Sequence, residues 1–141
     1  MSALYAAQKR KPLPYAVLAM GLAPSDRSWL HGRIAERFEL MLQAGLVDEV
    51  DLLRKKYALS ADLPSMRSVG YRQVWDYFAG KIGKSELRER GIFATRQFAK
   101  RQLTWFNTLS SVALFDCTDP AIQPHIIDKT ERFIAAAASQ P

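Results

Sequence analysis

The chain has 141 residues, 48% hydrophobic and 24% charged, with a formal net charge of +6 and a sequence pI near 9.7. That is enough for one domain with a genuine core, and the composition excludes the disordered and fibrous classes. One cysteine, Cys117, excludes an internal disulfide framework, His31 and His125 stand apart without a metal-ligand pattern, and no apolar run approaches the roughly 20 residues of a membrane span.

Residues 1–14 read as a basic extended segment: the Lys9-Arg10-Lys11 cluster follows a weakly apolar run, the reverse of a signal peptide's order, and Pro12 and Pro14 disfavour helix before them. A cytoplasmic protein without membrane attachment is expected, and residues 15–141 are read as a single unit. Tyr15 to Leu22 is an almost unbroken apolar run, closed by Pro24 and Ser25. Too short for a buried helix and lacking alternation, it predicts a strand covered on both faces, as in a parallel α/β sheet. The rest of such a sheet must lie elsewhere.

Ser25 or Asp26 caps a predicted helix that runs to Ala44 and stops at Gly45, with Leu30, Ile34, Phe38, Met41 and Leu42 as its apolar stripe. Arg33 and Arg37 flank that stripe. A second helix from Val47 to Tyr57 buries Val47, Val50 and Leu53, and its early acids Asp48, Glu49 and Asp51 read as ordinary helix-start carboxylates. A third, aromatic helix spans Gly70 to Ala79. The longest predicted helix runs from Ser85 to Asn107, with Leu87, Gly91, Ala94, Phe98, Gln102 and Trp105 sharing an inward face, and Arg96, Lys100 and Asn107 grouped on another. Val112 to Phe115 is a short strand, and Asp119-Pro120 carries the start signature of a last helix with Ile122, Ile126, Ile127, Phe133 and Ile134 as its apolar positions. The fold class is therefore mainly α with one or two short strands.

Gly80 to Ser85 contains Gly-Lys-Ser, but Phe78 occupies the position where a phosphate loop needs its first glycine, so a plain helix-to-helix turn is the better reading. Charge is informative further along. Between Arg67 and Arg101 nine Lys/Arg stand against three acids, so this stretch holds the whole formal excess of +6. Such a concentration, interleaved with Tyr71, Phe93, Trp105 and Phe106, suits a phosphate-rich polymer.

Three pieces could carry the binding. Arg67-Ser68-Val69-Gly70-Tyr71-Arg72 brings two arginines and two hydroxyls to a helix start with unpaired backbone N–H groups; a simple capping segment with solvated arginines explains it equally well. Lys100-Arg101-Gln102-Leu103-Thr104-Trp105-Phe106-Asn107 could contact phosphates and stack on an unpaired base, although core packing is the favoured role for Trp105 and Phe98. Arg37 could reach a phosphate with both guanidinium arms, although an ordinary ion pair with Glu36 or Glu49 is favoured on the residues alone.

The run Leu63-Pro64-Ser65-Met66-Arg67-Ser68-Val69-Gly70-Tyr71-Arg72-Gln73-Val74-Trp75, followed by Ala94-Thr95-Arg96-Gln97-Phe98-Ala99-Lys100-Arg101-Gln102-Leu103-Thr104-Trp105-Phe106, closely resembles the C-terminal part of bacterial tRNA dimethylallyltransferases, also called tRNA isopentenylpyrophosphate transferases. Arg33 to Phe38, Met41-Leu42 and Gly45 to Val50 match the same family in the same order, so the likeness covers Leu13 to Asn107. It implies the C-terminal part of a P-loop-NTPase-like α/β enzyme. That enzyme transfers a dimethylallyl group from dimethylallyl diphosphate to N6 of the adenosine 3′ of a tRNA anticodon, with Mg²⁺.

By the same resemblance, Arg67 to Arg72 and Lys100 to Asn107 are tRNA-contacting segments and Arg37 is an active-site, catalytic arginine near the diphosphate. Asn107 departs from the arginine usual at the end of its motif. These 141 residues contain no P-loop, and the family's aspartate base belongs to an N-terminal portion that is not among them. The expectation is a fragment or truncated product, unable to transfer the prenyl group alone, whose Mg²⁺ ligands lie elsewhere and whose orphaned sheet favours self-association. Two other readings stay open: a stand-alone, non-catalytic helical RNA-binding module, and a structural domain whose basic face is only solvated.

Overall fold

A computed structural model describes residues 14–138. Apart from Pro14, the basic segment expected over 1–14 lies outside the described residues. In chain order the elements are β1 (Ala19–Ala23), α1 (Arg27–Gln43), α2 (Leu46–Lys56), α3 (Tyr71–Phe78), α4 (Lys84–Thr108), β2 (Val112–Asp116) and α5 (Ile122–Ala138). The architecture is mainly helical with two short parallel strands, the class read from the sequence. Instead of the single unit expected over 15–141, the chain divides into two compact units. One comprises the described residues up to Leu22 together with those from Ser111 on; the other is Ala23–Ser110.

In the first unit β1 pairs with β2 in a two-stranded sheet, and α5 packs on β2. The strand expected over Tyr15 to Leu22 and covered on both faces is corrected in both respects. It is five residues long and begins at Ala19, while Tyr15, Val17, Met20 and Leu22 are exposed. A strand needs a ladder partner, and β2 offers only five residues. The expected start of the last helix also shifts. Asp119 Oδ1 accepts from the Ala121 backbone N–H at 2.8 Å, capping a turn that carries Pro120, and α5 begins at Ile122. No α5 side chain is fully buried, and Ile127 and Ile134 are exposed.

The second unit is a four-helix arrangement. Asp26 caps α1: the Ser28 hydroxyl and then the Ser28 backbone N–H bind its carboxyl, each at 2.7 Å, and hold it below the ordinary value of 3.8. Gly45, at φ +93°, turns the chain between α1 and α2 in a conformation that an L side chain resists. The acids Asp48 and Glu49 fall in the first turn of α2 and Arg54, Lys55 and Lys56 in its last, each favourable against the helix dipole. At α4, Glu86 Oε2 accepts from the Gly83 N–H at 3.1 Å, a backbone bond that lowers its carboxyl pKa from 4.5. Gly80 to Gly83 is the helix-to-helix turn expected there.

The core joins Ile34 and Phe38 of α1, Leu46 and Val50 of α2, Val74 of α3, Ile82 of the turn, and Leu87 and Ile92 of α4. Val50, Val74 and Leu87 are fully enclosed, and each contributes about 1.5–3 kcal/mol by leaving water. The inward face expected for α4 holds only in its first half. Leu87, Gly91 and the unanticipated Ile92 are buried, but Phe98 is 48% exposed, Trp105 is 60% exposed, and Gln102 faces solvent. For Gln102 and Trp105 length explains the difference: 25 residues of α4 span about 37 Å, far beyond the eight-residue α3 and the 17-residue α1 on which it packs, whereas Phe98 precedes the core-packed Ala99 and is exposed because it lies on another face of the helix.

Closest approach occurs where the Phe38 ring meets the α4 backbone at Gly91. A methyl group added there would fall 1.9 Å from Phe38 Cζ. Gly91→Ala gains about 1 kcal/mol of helix propensity, but overpacking a core costs about 1–3 kcal/mol and occasionally more. At so short a distance the cost wins. The urea midpoint of Gly91→Ala should fall clearly below that of the parent chain; an equal or higher midpoint would show that α1 and α4 are not held at this distance.

Candidate nucleic-acid interface

The segment before α3 is a fixed loop. Met66 is buried, Ser68 Oγ donates to the Ser65 carbonyl at 2.7 Å, and the Met66 and Arg67 N–H groups both donate to the Leu63 carbonyl. Gly70 adopts φ +97°, and its N–H donates to Oε1 of the buried Gln73 at 2.8 Å. The Arg72 N–H donates to the Ser68 carbonyl at 3.0 Å. The Tyr71 hydroxyl donates a hydrogen bond to Glu49 Oε1, and that bond, followed by burial, pushes the phenol pKa up.

The helix start is thus less generous than its sequence implies. The hydroxyls of Ser68 and Tyr71 and the backbone donors of Gly70 and Arg72 are used within the fold. What remains for a ligand is the pair of exposed guanidinium groups at Arg67 and Arg72.

Those groups border a groove of about 560 Å³. Arg67, Ser68, Val69 and Arg72 form one wall. The other is the α4 face bearing Phe93, Ala94, Gln97, Phe98 and Arg101. Segments separated by some twenty residues therefore meet on one cleft, whose lining carries three arginines and no acid. The Arg101 guanidinium lies 5.8 Å from the centre of the Phe98 ring.

From Lys100 to Asn107 only Arg101 lines this groove; Lys100, Gln102, Leu103, Thr104, Trp105, Phe106 and Asn107 do not. Lys100, Gln102, Trp105 and Asn107 are exposed further along α4. Trp105 and Phe106 meet each other with ring centres 5.7 Å apart instead of joining the core, and the Thr104 hydroxyl donates to the Lys100 carbonyl at 2.9 Å. Arg96 leaves the basic face expected for it. Its guanidinium turns toward α1, donating to the His31 carbonyl at 3.4 Å, with Nε buried and without a partner.

The sequence reading set Phe93 among the aromatics interleaved with the charge but did not assign Ala94, Gln97 or Phe98 to a binding surface. The available signal was spacing: Phe93, Gln97 and Arg101 are successive i, i+4 neighbours, as are Ala94 and Phe98.

Arg37 is exposed on α1, and both acids considered as its partners are engaged elsewhere. Glu36 pairs with Arg33 at 2.7 Å, and Glu49 accepts from Tyr71. Arg37 borders a hollow of about 180 Å³ shared with Met41, Val69 and Thr95. Val69 also lines the larger groove.

Among the described residues no group of three or more His, Cys, Asp and Glu comes together to hold a metal ion. Among the same residues, no helix is long and apolar enough to cross a membrane.

The IPP transferase family model matches residues 1–109. The chain belongs to the IPP transferase family. It is 52% identical over 136 residues to a tRNA dimethylallyltransferase of Dechloromonas aromatica, covering 96% of this chain and 43% of the relative. To its counterpart in Thiobacillus denitrificans it is 54% identical over 111 residues, covering 79% and 36%. Among solved structures, the full-length tRNA isopentenylpyrophosphate transferase of Bacillus halodurans superposes with a TM-score of 0.75 at 33% identity, over 88% of this chain and 40% of that one. A tRNA delta(2)-isopentenylpyrophosphate transferase of Staphylococcus epidermidis gives 0.72 at 28% identity, over 84% and 38%. The chain spans about two fifths of the length of the relatives it matches.

Tyr71 separates fold from binding within the family motif. Removing its hydroxyl as Tyr71→Phe should cost about 1 kcal/mol of stability, the ordinary net worth of such a bond, and leave RNA affinity within twofold. Urea unfolding and filter binding read the two effects; unchanged stability with weakened binding would place the hydroxyl on the ligand.

Proposed function

We propose that this chain is the tRNA-gripping part of a tRNA dimethylallyltransferase. The whole enzyme moves a dimethylallyl group from dimethylallyl diphosphate to N6 of the adenosine 3′ of the anticodon. The observation that carries this reading is the convergence of the Arg67 to Arg72 loop and α4 on one groove lined by arginines and no acid. Polyanions are held by such cation-lined clefts, and backbone contacts of this kind set the register of the bound strand.

In that reading the adenine N6 attacks C1 of the allylic diphosphate, the C1–O bond breaks, a proton leaves N6 for a base outside the described residues, and negative charge accumulates on the departing diphosphate. Arg37 would meet that charge. It has no acid partner among the described residues, and its hollow shares the lining residue Val69 with the groove. A guanidinium already in place stabilises developing charge without reorganising at the moment of reaction. Arg67 and Arg72 would hold the anticodon arm from the loop side, Arg101 from the helix side, and the exposed Lys100 would meet the backbone from a neighbouring face of α4. Mg²⁺ would take its ligands from outside the described residues, so no step is assigned to it here.

Binding of these 141 residues to an anticodon stem-loop should weaken steeply with salt, because each phosphate contact releases counterions. Arg72→Glu together with Lys100→Glu should lower the affinity for every stem-loop tested and reduce the salt slope by about 2, one for each lost phosphate contact. No prenyl transfer from dimethylallyl diphosphate should accompany binding. Salt-independent binding, or unchanged affinity in the double variant, would remove the interface; prenylated stem-loop from this chain alone would remove the partial-enzyme reading.

A further inference from the structure

We propose that the groove holds an unpaired base of the RNA between Phe93 and Phe98, with Gln97 beneath it. This inference rests on the tRNA-gripping reading above and deepens it. It assigns stacking and polar readout to residues outside both segments implied by the family motif.

The geometry of α4 carries the argument. At about 100° per residue, Phe93 and Phe98 stand about 140° apart around the helix, and Ala94 and Gln97 fall between them. The two rings form the flanks of a shallow trough floored by a methyl group and a carboxamide. Ala94 leaves the floor low; a larger side chain would fill it.

Both rings are in the wrong environment for core residues. Phe93 is 63% exposed and Phe98 48% exposed, although the core continues nearby through Leu87, Gly91 and Ile92. Exposed phenyl rings facing a cation-lined groove match the combination used for single-stranded nucleic acid, in which arginines follow the backbone and aromatic faces take the bases. Arg101 lies over Phe98 and thereby links the stacking surface to the charge, while Arg67 and Arg72 stand on the opposite wall. The groove's roughly 560 Å³ lies within the 300–1,000 Å³ range of ordinary ligand clefts. Gln97 presents both a donor and an acceptor, so it can bond a base edge as well as support its face.

The occupant follows from charge. The lining has three arginines and no carboxylate, which disfavours a cationic or neutral apolar partner, and the rings disfavour a bare phosphate. A single-stranded nucleotide satisfies both halves of the groove.

The test uses this chain and anticodon stem-loop RNAs that carry 2-aminopurine at one unpaired loop position at a time. Stacking on a phenyl ring should change the emission at one position on binding. Phe93→Leu and Phe98→Leu keep the apolar volume at exposed sites, so both should unfold as the parent does in urea. Each should bind about fivefold or more weakly, with the salt slope unchanged, and the emission change should vanish. Gln97→Leu should weaken binding in a way that depends on the base at that position. Normal binding with unchanged emission everywhere and full affinity in both leucine variants would overturn the stacking site and leave the tRNA-gripping reading intact. Failure of the parent chain to bind any stem-loop would overturn both.

Discussion

The contact between the Phe38 ring and the backbone of α4 at Gly91 is the constraint from which the helical unit takes its form. Only hydrogen occupies the place of a side chain there, so an aromatic ring can lie against the helix itself. Phe38 and the neighbouring Ile34 then reach Leu87 and Ile92, and α2 and α3 close the remaining side through Val50 and Val74. The cost of this packing is geometric. Once the first half of α4 is seated, its rotation is fixed, and the face bearing Phe93, Gln97 and Arg101 has only the loop before α3 opposite it. Gln73 completes the arrangement from the other side, because its buried carboxamide accepts from the Gly70 N–H at the positive-φ turn where the arginine-bearing segment enters α3.

Electrostatics divides the same surface into spent and unspent charge. Arg33, Lys55, Lys81, Arg88 and Arg90 each pair with an acid, all at exposed positions where such pairs contribute little to stability. Their effect is to neutralise the flanks. The groove arginines have no such acid in their lining, and Arg37 is left free among the described residues because Glu36 and Glu49 are engaged by Arg33 and Tyr71. Positive potential is thereby concentrated where two segments meet, instead of being spread along a solvated helix. That concentration supports a polyanion as the ligand of this unit, and family membership supports tRNA as the polyanion.

Much of this was legible in the amino-acid order because it depends on local rules. Asp26 and Gly45 mark the ends of α1 by capping and by backbone freedom, and the stripe from Leu30 to Leu42 follows the helical period. What depends on the length of neighbouring elements was not legible. Trp105 satisfies the periodicity of an inward face but lies beyond the helices that could cover it, and Phe98 is turned to the groove instead of the core. The run from Tyr15 to Leu22 looks like a fully covered strand, yet its ladder is limited to the five residues of β2. At the site, the arginines were visible as composition, whereas the use of the Ser68 and Tyr71 hydroxyls within the fold was not, since both partners are set by tertiary or turn geometry. Phe93 was visible as an aromatic among charges and Gln97 as part of a family motif, but that they face the same groove as Arg67 and Arg72 depends on the seating of α4.

The central claim is that the loop before α3 and the middle of α4 form one binding surface. Amide chemical-shift mapping of the isotopically labelled chain, titrated with an anticodon stem-loop, tests it most directly. The account predicts that the perturbed residues fall together on Arg67 to Arg72 and on Phe93 to Arg101, with a smaller effect near Arg37. Perturbations confined to one of the two segments, or centred on the basic end of α2 at Lys55 and Lys56, would contradict it.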